Sequence, residues 1–293
     1  MSATHPAPSR SRGLLLLTVS NAVYILGGYV LTVALAHILG KSGFGSYGVV
    51  ASFATVINML VTRGVPIAAA RGIAAHAEAA GDWVAASRYV MLPLSIGLAV
   101  VGIVAAWPLA SLLGDSSLRL PMQVGALLAL TFGFQAQLFS WMYGTENYNR
   151  QAVGQMAYGL GRVVTIVGGA QVAGLTGAIV GFVLGPLIGA LPLVTRRPAG
   201  SSIAERNRLV RTLISSAMPI VVTATGVTLL MVVDIIAFKS VATKPDVGLY
   251  TAAASLAHIP YFLLQAASFV LLPSVAAAAA GPGLRAAVVK GVT

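Results

Sequence analysis

Residues 14–39 read LLLLTVSNAVYILGGYVLTVALAHIL, a stretch without one Asp, Glu, Lys or Arg. A helix needs about 20 such residues to cross the hydrocarbon core of a bilayer, whereas the apolar core of a secretory signal has about 7–15. The stretch is therefore read as a retained span, although Ala34-Leu35-Ala36 looks like a cleavage site. Working outward, apolar runs of similar length recur at 47–70, 89–113, 121–143, 151–172, 174–195, 212–238 and 249–275, which gives eight expected spans. None shows the ten-residue alternation of a membrane barrel strand, and lipid demands internally satisfied backbone groups. The expected fold class is an all-α integral membrane protein.

Composition points the same way. Of 293 residues, 57% are hydrophobic and 9% charged, against about 25% charged in an ordinary globular domain. Too few polar side chains remain to coat a water-facing surface, which excludes a soluble enzyme. There is no Cys, and the four His (His5, His37, His76, His258) are scattered. Disulfides, thiolate metal sites and iron–sulfur clusters are thereby excluded, and no metal-ligand spacing is present. No phosphate-binding P-loop occurs, so no cofactor is expected and any transport would draw on ion or substrate gradients.

The net charge of +11 has a topological reading. Arg10, Arg12, Arg71, Arg88, Arg150, Arg196, Arg197, Arg206, Arg208, Arg211, Arg285 and Lys290 fall on one side of the expected spans, and Lys41, Arg119, Lys239 and Lys244 on the other. Positive charge is retained on the cytoplasmic side, so both termini are expected there. Membrane lipid is the expected partner of the dense cluster Arg196 to Arg211, and nucleic acid is set aside.

The chain also repeats. Gly45-Ser46-Tyr47-Gly48-Val49-Val50-Ala51-Ser52-Phe53-Ala54 and Gly248-Leu249-Tyr250-Thr251-Ala252-Ala253-Ala254-Ser255-Leu256-Ala257 share the pattern G-x-Y-x3-A-S-[FL]-A, offset by 203. Six spans separate the copies, and an even number implies parallel repeats about an axis along the membrane normal. The expected organisation is a cytoplasmic tail (1–13), a six-helix lobe (14–200), the first two helices of a second lobe (201–280) and a C-terminal stub (281–293). The second lobe reads as truncated.

Several motifs carry a family resemblance. Gly40-Lys41-Ser42-Gly43-Phe44-Gly45-Ser46-Tyr47 follows the first span and Arg71-Gly72-Ile73-Ala74 the second. Gly174-Leu175-Thr176-Gly177-Ala178-Ile179-Val180-Gly181 opens the sixth, and Asp234 precedes Val247-Gly248-Leu249-Tyr250. In this order they resemble bacterial polysaccharide flippases of the superfamily of multidrug, oligosaccharidyl-lipid and polysaccharide exporters. The resemblance implies two six-helix lobes around a central cavity in the bacterial inner membrane. It also implies transfer of undecaprenyl-diphosphate-linked glycan to the outer leaflet for surface polysaccharide or lipopolysaccharide, with glycan polymerase or assembly proteins as further partners.

Candidate substrate-binding residues come from charge at depth. Arg162 lies near the middle of the fifth span, where an Arg facing lipid costs at least roughly 2.5–3.5 kcal/mol. Gln151, Gln155, Tyr158 and Arg162 recur at i, i+4, i+7 and i+11, which lines them along one helix face, as the wall of a watery cavity requires. Arg is suited to diphosphate because its planar fork donates paired hydrogen bonds. The alternative places 151–162 at the interface, with the span starting at Val163. Arg63 is a second candidate for the headgroup, or a snorkelling Arg near Arg71, with Gly64 and Pro66 able to open the helix beside it.

Asp234, one turn before Lys239, is the candidate for ion coupling, or else an interfacial acid near that lysine. Asn21, Asn58, Gln135 and Gln137 are read as interhelical hydrogen-bonding groups, with sugar contacts as the alternative. His258 is read as a packed histidine or a proton relay.

The function expected is a non-enzymatic flippase working by alternating access. A multidrug exporter of the same fold is the nearest alternative, but cationic drugs favour acidic cavity residues. An inactive fragment is the third reading. A membrane glycan polymerase or ligase is the fourth, disfavoured by external connections of about ten residues or fewer that carry no nucleophile–base set.

Overall fold

The computed structural model describes residues 8–195, 203–258 and 260, and among them every long element is helical and no strand occurs. The tail before Pro8, Arg196 and Arg197, most of the eighth expected span and the stub with Arg285 and Lys290 lie outside the described residues. Helix α1 (Pro8–Thr62) is followed by α2 (Val65–Ala75), α3 (Ala80–Leu112), α4 (Arg119–Ala126) and α5 (Leu128–Gly144). After these come α6 (Tyr148–Ala190), α7 (Ile203–Lys239) and α8 (Lys244–Ala257). Five apolar helical runs within α1 to α7 are long enough to cross a membrane. Breaks at Gly40 in α1 and at Ala173 and Gly174 in α6 divide two of those runs into paired arms. The arms match the expected spans at 14–39 and 47–70, and at 151–172 and 174–195.

Both breaks rest on glycine at positive φ, 64° at Gly40 and 58° at Gly174, a conformation that costs other residues roughly 1–2 kcal/mol. After Gly40, Phe44 and Tyr47 of the second arm pack in one apolar cluster with Leu31 and Leu35 of the first. After Gly174 the chain doubles back on itself. Gly177 faces Gly169, Gly181 faces Thr165 and Gly185 faces Arg162, one number rising as the other falls, as in an antiparallel helix pair. A Cβ on Gly177 would collide with the Gly169 carbonyl, and one on Gly181 with the Thr165 carbonyl. Small residues at every fourth position let the two backbones touch, the usual basis of helix association in lipid, where apolar side chains gain little by meeting each other. The Thr165 hydroxyl crosses the seam to within 2.8 Å of the Gly181 carbonyl oxygen.

Two spans differ from the sequence reading. The second is interrupted between Thr62 and Val65, where Gly64 leaves the helical region and Pro66 sits in the first turn of α2. The opening expected beside Gly64 and Pro66 is thus present, because proline lacks the N–H that a continuous helix would use. The fourth is divided between α4 and α5 at Leu127, where hydrogen bonds tighten to three-residue spacing, Leu127 to Val124 and Leu130 to Leu127, both 3.0 Å.

The largest buried cluster draws Val61 from α1, Ala69 and Ile73 from α2, Trp83 and Ala86 from α3, Leu128 and Phe132 from α5 and Leu213 from α7. On the outside, Leu92, Val104 and Trp107 of α3, Val164 and Val172 of α6 and Leu230 of α7 are exposed. Such apolar coverage suits lipid as the surrounding solvent.

Candidate functional site

The first arms of α1 and α6 run parallel in a fixed register. The Gln155 amide donates to Asn21 Oδ1 at 2.6 Å, the Tyr158 ring stacks on Tyr24 at 5.7 Å, and Arg162 meets Gly28. Each of these pairs is offset by 134, so one row on α6 docks on one row on α1. Glycine permits the approach: a Cβ on Gly27 would lie 3.3 Å from the Gly159 carbonyl oxygen, and one on Gly159 would lie 3.3 Å from Tyr24 Cα.

Arg162 stands at the end of this row. Its Nη2 donates to the Tyr24 carbonyl at 2.7 Å, and its guanidinium carbon lies 3.9 Å from the centre of the Tyr24 ring and 5.6 Å from that of Tyr158. Gly185 behind it and Gly28 ahead leave the room, since a Cβ on Gly28 would stand 3.1 Å from Nη2. None of the ion pairs among the described residues includes Arg162, and its Nε is buried with no hydrogen-bond partner. A guanidinium over aromatic faces gains roughly 0.5–2 kcal/mol, but its charge is not neutralised. The local charge is a fixed cation with a spare Nε donor, held about 16 Å along the helix from the break at Ala173.

The remaining candidates divide. Gln155 and Tyr158 join Arg162, with Tyr158 also edge-on to Phe132 at 5.6 Å. Gln151 does not: it is fully buried and donates to the Met142 carbonyl at 2.9 Å, tying the start of α6 to the end of α5. Arg63 stands exposed at the break between α1 and α2, its backbone N–H on the Met59 carbonyl at 3.1 Å, and is not among the groups around Arg162. Asp234 accepts a hydrogen bond from the Tyr250 hydroxyl at 2.8 Å. Lys239 instead faces Asp115 at 3.8 Å. Of the polar span residues, Asn21 and Gln137 bond across helices, Gln137 by accepting from the Ser87 hydroxyl at 2.9 Å. Asn58 Oδ1 and Gln135 Nε2 are buried without a partner.

Sequence reasoning missed Tyr24 and Gly28. The signal was there in the shared spacing: Asn21, Tyr24 and Gly28 repeat the i, i+3, i+7 pattern of Gln155, Tyr158 and Arg162. It missed Asp115 as well, which lies in the connection after α3. Burial opposes charge on Asp115, but the Ser117 hydroxyl and the Lys244 and Lys239 ammonium groups outweigh it and hold the carboxyl below its ordinary value. A depressed folded value gives stability that is fully present above about pH 4 and is lost as pH falls through the folded value. In detergent melts, the gap between the parent and Asp115→Asn is therefore expected to be largest above about pH 5 and to close below about pH 4. A gap independent of pH would show that the carboxylate charge is not what matters.

A solved multidrug resistance transporter of the MATE family in the MOP superfamily, described in its inward-facing conformation, is similar to 95% of this chain with a TM-score of 0.70. At 14% identity the likeness is one of fold, and the chain spans 66% of that protein's length. No curated protein matches the sequence significantly. The family model for polysaccharide biosynthesis proteins matches residues 11–278, and the chain, a multi-pass membrane protein, belongs to that family.

Proposed function

We propose that this protein moves undecaprenyl-diphosphate-linked oligosaccharide from the cytoplasmic to the outer leaflet of the bacterial inner membrane, by alternating access between two lobes. In this reading residues 14–200 form the first lobe, 201–280 begin the second, and the N-terminus is cytoplasmic. The single observation that carries it is Arg162: a guanidinium deep in an apolar helix, without a carboxylate partner and with an idle Nε. A half-buried cation lacking a counter-ion in an apolar helix is costly unless an anion visits it, and a diphosphate supplies paired acceptors for the guanidinium fork. Gln155 and Tyr158 are its neighbours in the substrate path, and Arg63 is a second cation at the opened helix. Gln151, whose amide is spent on Met142, supports the site from below. Asp234, bonded to Tyr250, is the group proposed to carry the coupling ion. The prenyl chain stays in lipid, and glycan polymerase or assembly proteins receive the product.

The test is surface polysaccharide export in cells. A charge-assisted contact is worth roughly 1.5–3 kcal/mol, so Arg162→Ala should lower export about 10- to 100-fold. Arg162→Lys should recover only part of it, since lysine keeps the charge and loses the fork. Export at parental levels from Arg162→Ala, with the protein present in the membrane, would remove the diphosphate role.

A further inference from the structure

The two copies of the sequence repeat meet each other in the fold. Gly45 packs against the Lys244 carbonyl and the Gly248 backbone, while Gly248 packs against the Lys41 carbonyl and the Gly45 backbone. Adding 203 to 41 and 45 gives 244 and 248, so the Lys41–Gly248 and Gly45–Lys244 contacts are one contact with the copies exchanged. Gly45–Gly248 and Gly48–Thr251 each join a residue to its own counterpart. A contact set that maps onto itself under exchange is the mark of a twofold axis. Because both self-pairs advance together along the chain, that axis runs along the two helices, as parallel repeats require.

One end of this crossing carries two buried charges, Asp115 and Lys239. Asp115 is buried and accepts from the Ser117 hydroxyl at 2.6 Å. Lys244, at the start of α8, reaches Asp115 Oδ1 at 3.0 Å and Ser117 Oγ at 3.2 Å. Lys239, at the end of α7, is itself buried and lies 3.8 Å from Asp115 Oδ2, which has no hydrogen-bond partner. The connection after α3 is thus tied to both sides of the α7–α8 connection.

We propose that Asp115 is an ionic latch: with Lys239 and Lys244 it holds the glycine crossing of the two repeats shut at that end of the bundle. The inference rests on the reading of the chain as a transporter whose lobes part. Glycine faces close without interlocking side chains, so the crossing can separate without rotamer barriers, and the charges supply the bias toward closure. On opening, water replaces the carboxylate around Lys239, which limits the cost of release and makes the latch reversible. In the orientation proposed above, this is the outer end.

The chain has no cysteine, so introduced thiols report cleanly. A Cβ at Gly48 would lie 3.0 Å from Thr251 Cβ, so a parting of the two helices by about 0.5–1 Å brings the pair to disulfide distance. In native membranes the Gly48→Cys/Thr251→Cys pair should oxidise readily, and adding Asp115→Asn should slow closure by at least about fivefold. The second measurement leaves both glycines in place. Thr251→Cys alone should react with a membrane-impermeant maleimide at least about fivefold faster when Asp115→Asn is added. Lys244→Gln, at a half-exposed position, should shift both readouts in the same direction and covers the case in which Asp115→Asn does not fold. Labelling within twofold of the parent in the variants that fold overturns the latch. These measurements involve no glycan, so their failure is separate from failure of the export assay.

Discussion

Gly181→Leu is expected to abolish the folded protein. Its Cβ would enter the space of the Thr165 carbonyl oxygen and stand 2.6 Å from the Ile166 nitrogen, and both neighbours are backbone. Backbone in a helix cannot swing aside as a side chain does, so relief requires the two arms of α6 to move apart. That separation would undo the facing pair of Gly169 and Gly177 and the Thr165 hydrogen bond to Gly181, because both lie on the same seam. Overpacking of this kind costs more than about 3 kcal/mol, a large part of the stability of any domain. The measurement is the monodisperse fraction on size exclusion of detergent extracts, together with the melting temperature. Gly168→Leu is the control: nothing lies within 4 Å of a Cβ there, and it should behave as the parent does. Equal loss from both substitutions would mean that any leucine harms this helix and that the seam is not special.

The apolar character of the spans was legible because apolar length is a strong one-dimensional signal, and Gly40 and Gly174 marked their own turns by falling between apolar runs. The break at Gly64 was also readable from Pro66. The division at Leu127 carried no such mark, since neither proline nor a charge stands there. Among the candidate site residues, the periodic stripe on α6 indicated one face correctly for Gln155, Tyr158 and Arg162. At Gln151 the same face has already passed onto the end of α5, where the Met142 carbonyl in the last turn of that helix accepts from the amide. Periodicity says which residues share a face but not what the face meets, and for that reason Tyr24 stayed hidden although its spacing matched. Asp234 and Lys239 show a related limit. Their separation of five residues suggested a pair, but five positions turn a helix well past one revolution, and the two side chains find Tyr250 and Asp115 on different elements.

Gly28→Leu is expected to reproduce the export defect of Arg162→Ala without altering a charge. The nearest heavy atom to a Cβ on Gly28 is Arg162 Nη2, and it is the one atom within 4 Å. A leucine there confronts the tip of a flexible side chain and leaves the α1–α6 backbone contacts at Gly27 and Gly159 alone, so stability should change by about 1 kcal/mol or less. The guanidinium, however, has to leave its place between Tyr24 and Gly28, surrendering the 2.7 Å hydrogen bond to the Tyr24 carbonyl and the cation–π contact at 3.9 Å. Positioned charge binds phosphate well because its donors are aimed before the ligand arrives, and a displaced guanidinium must be reordered at each binding event. Export in Gly28→Leu cells should therefore fall about 10- to 100-fold, with membrane abundance and melting temperature near parental values. A third strain separates position from charge: in Gly28→Leu/Arg162→Ala the second substitution should add almost nothing, since both remove one and the same aimed cation. Additive defects would show that Gly28 acts through helix packing, and the guanidinium's location in the row of Asn21, Tyr24 and Gly28 would then have no bearing on the glycan carrier.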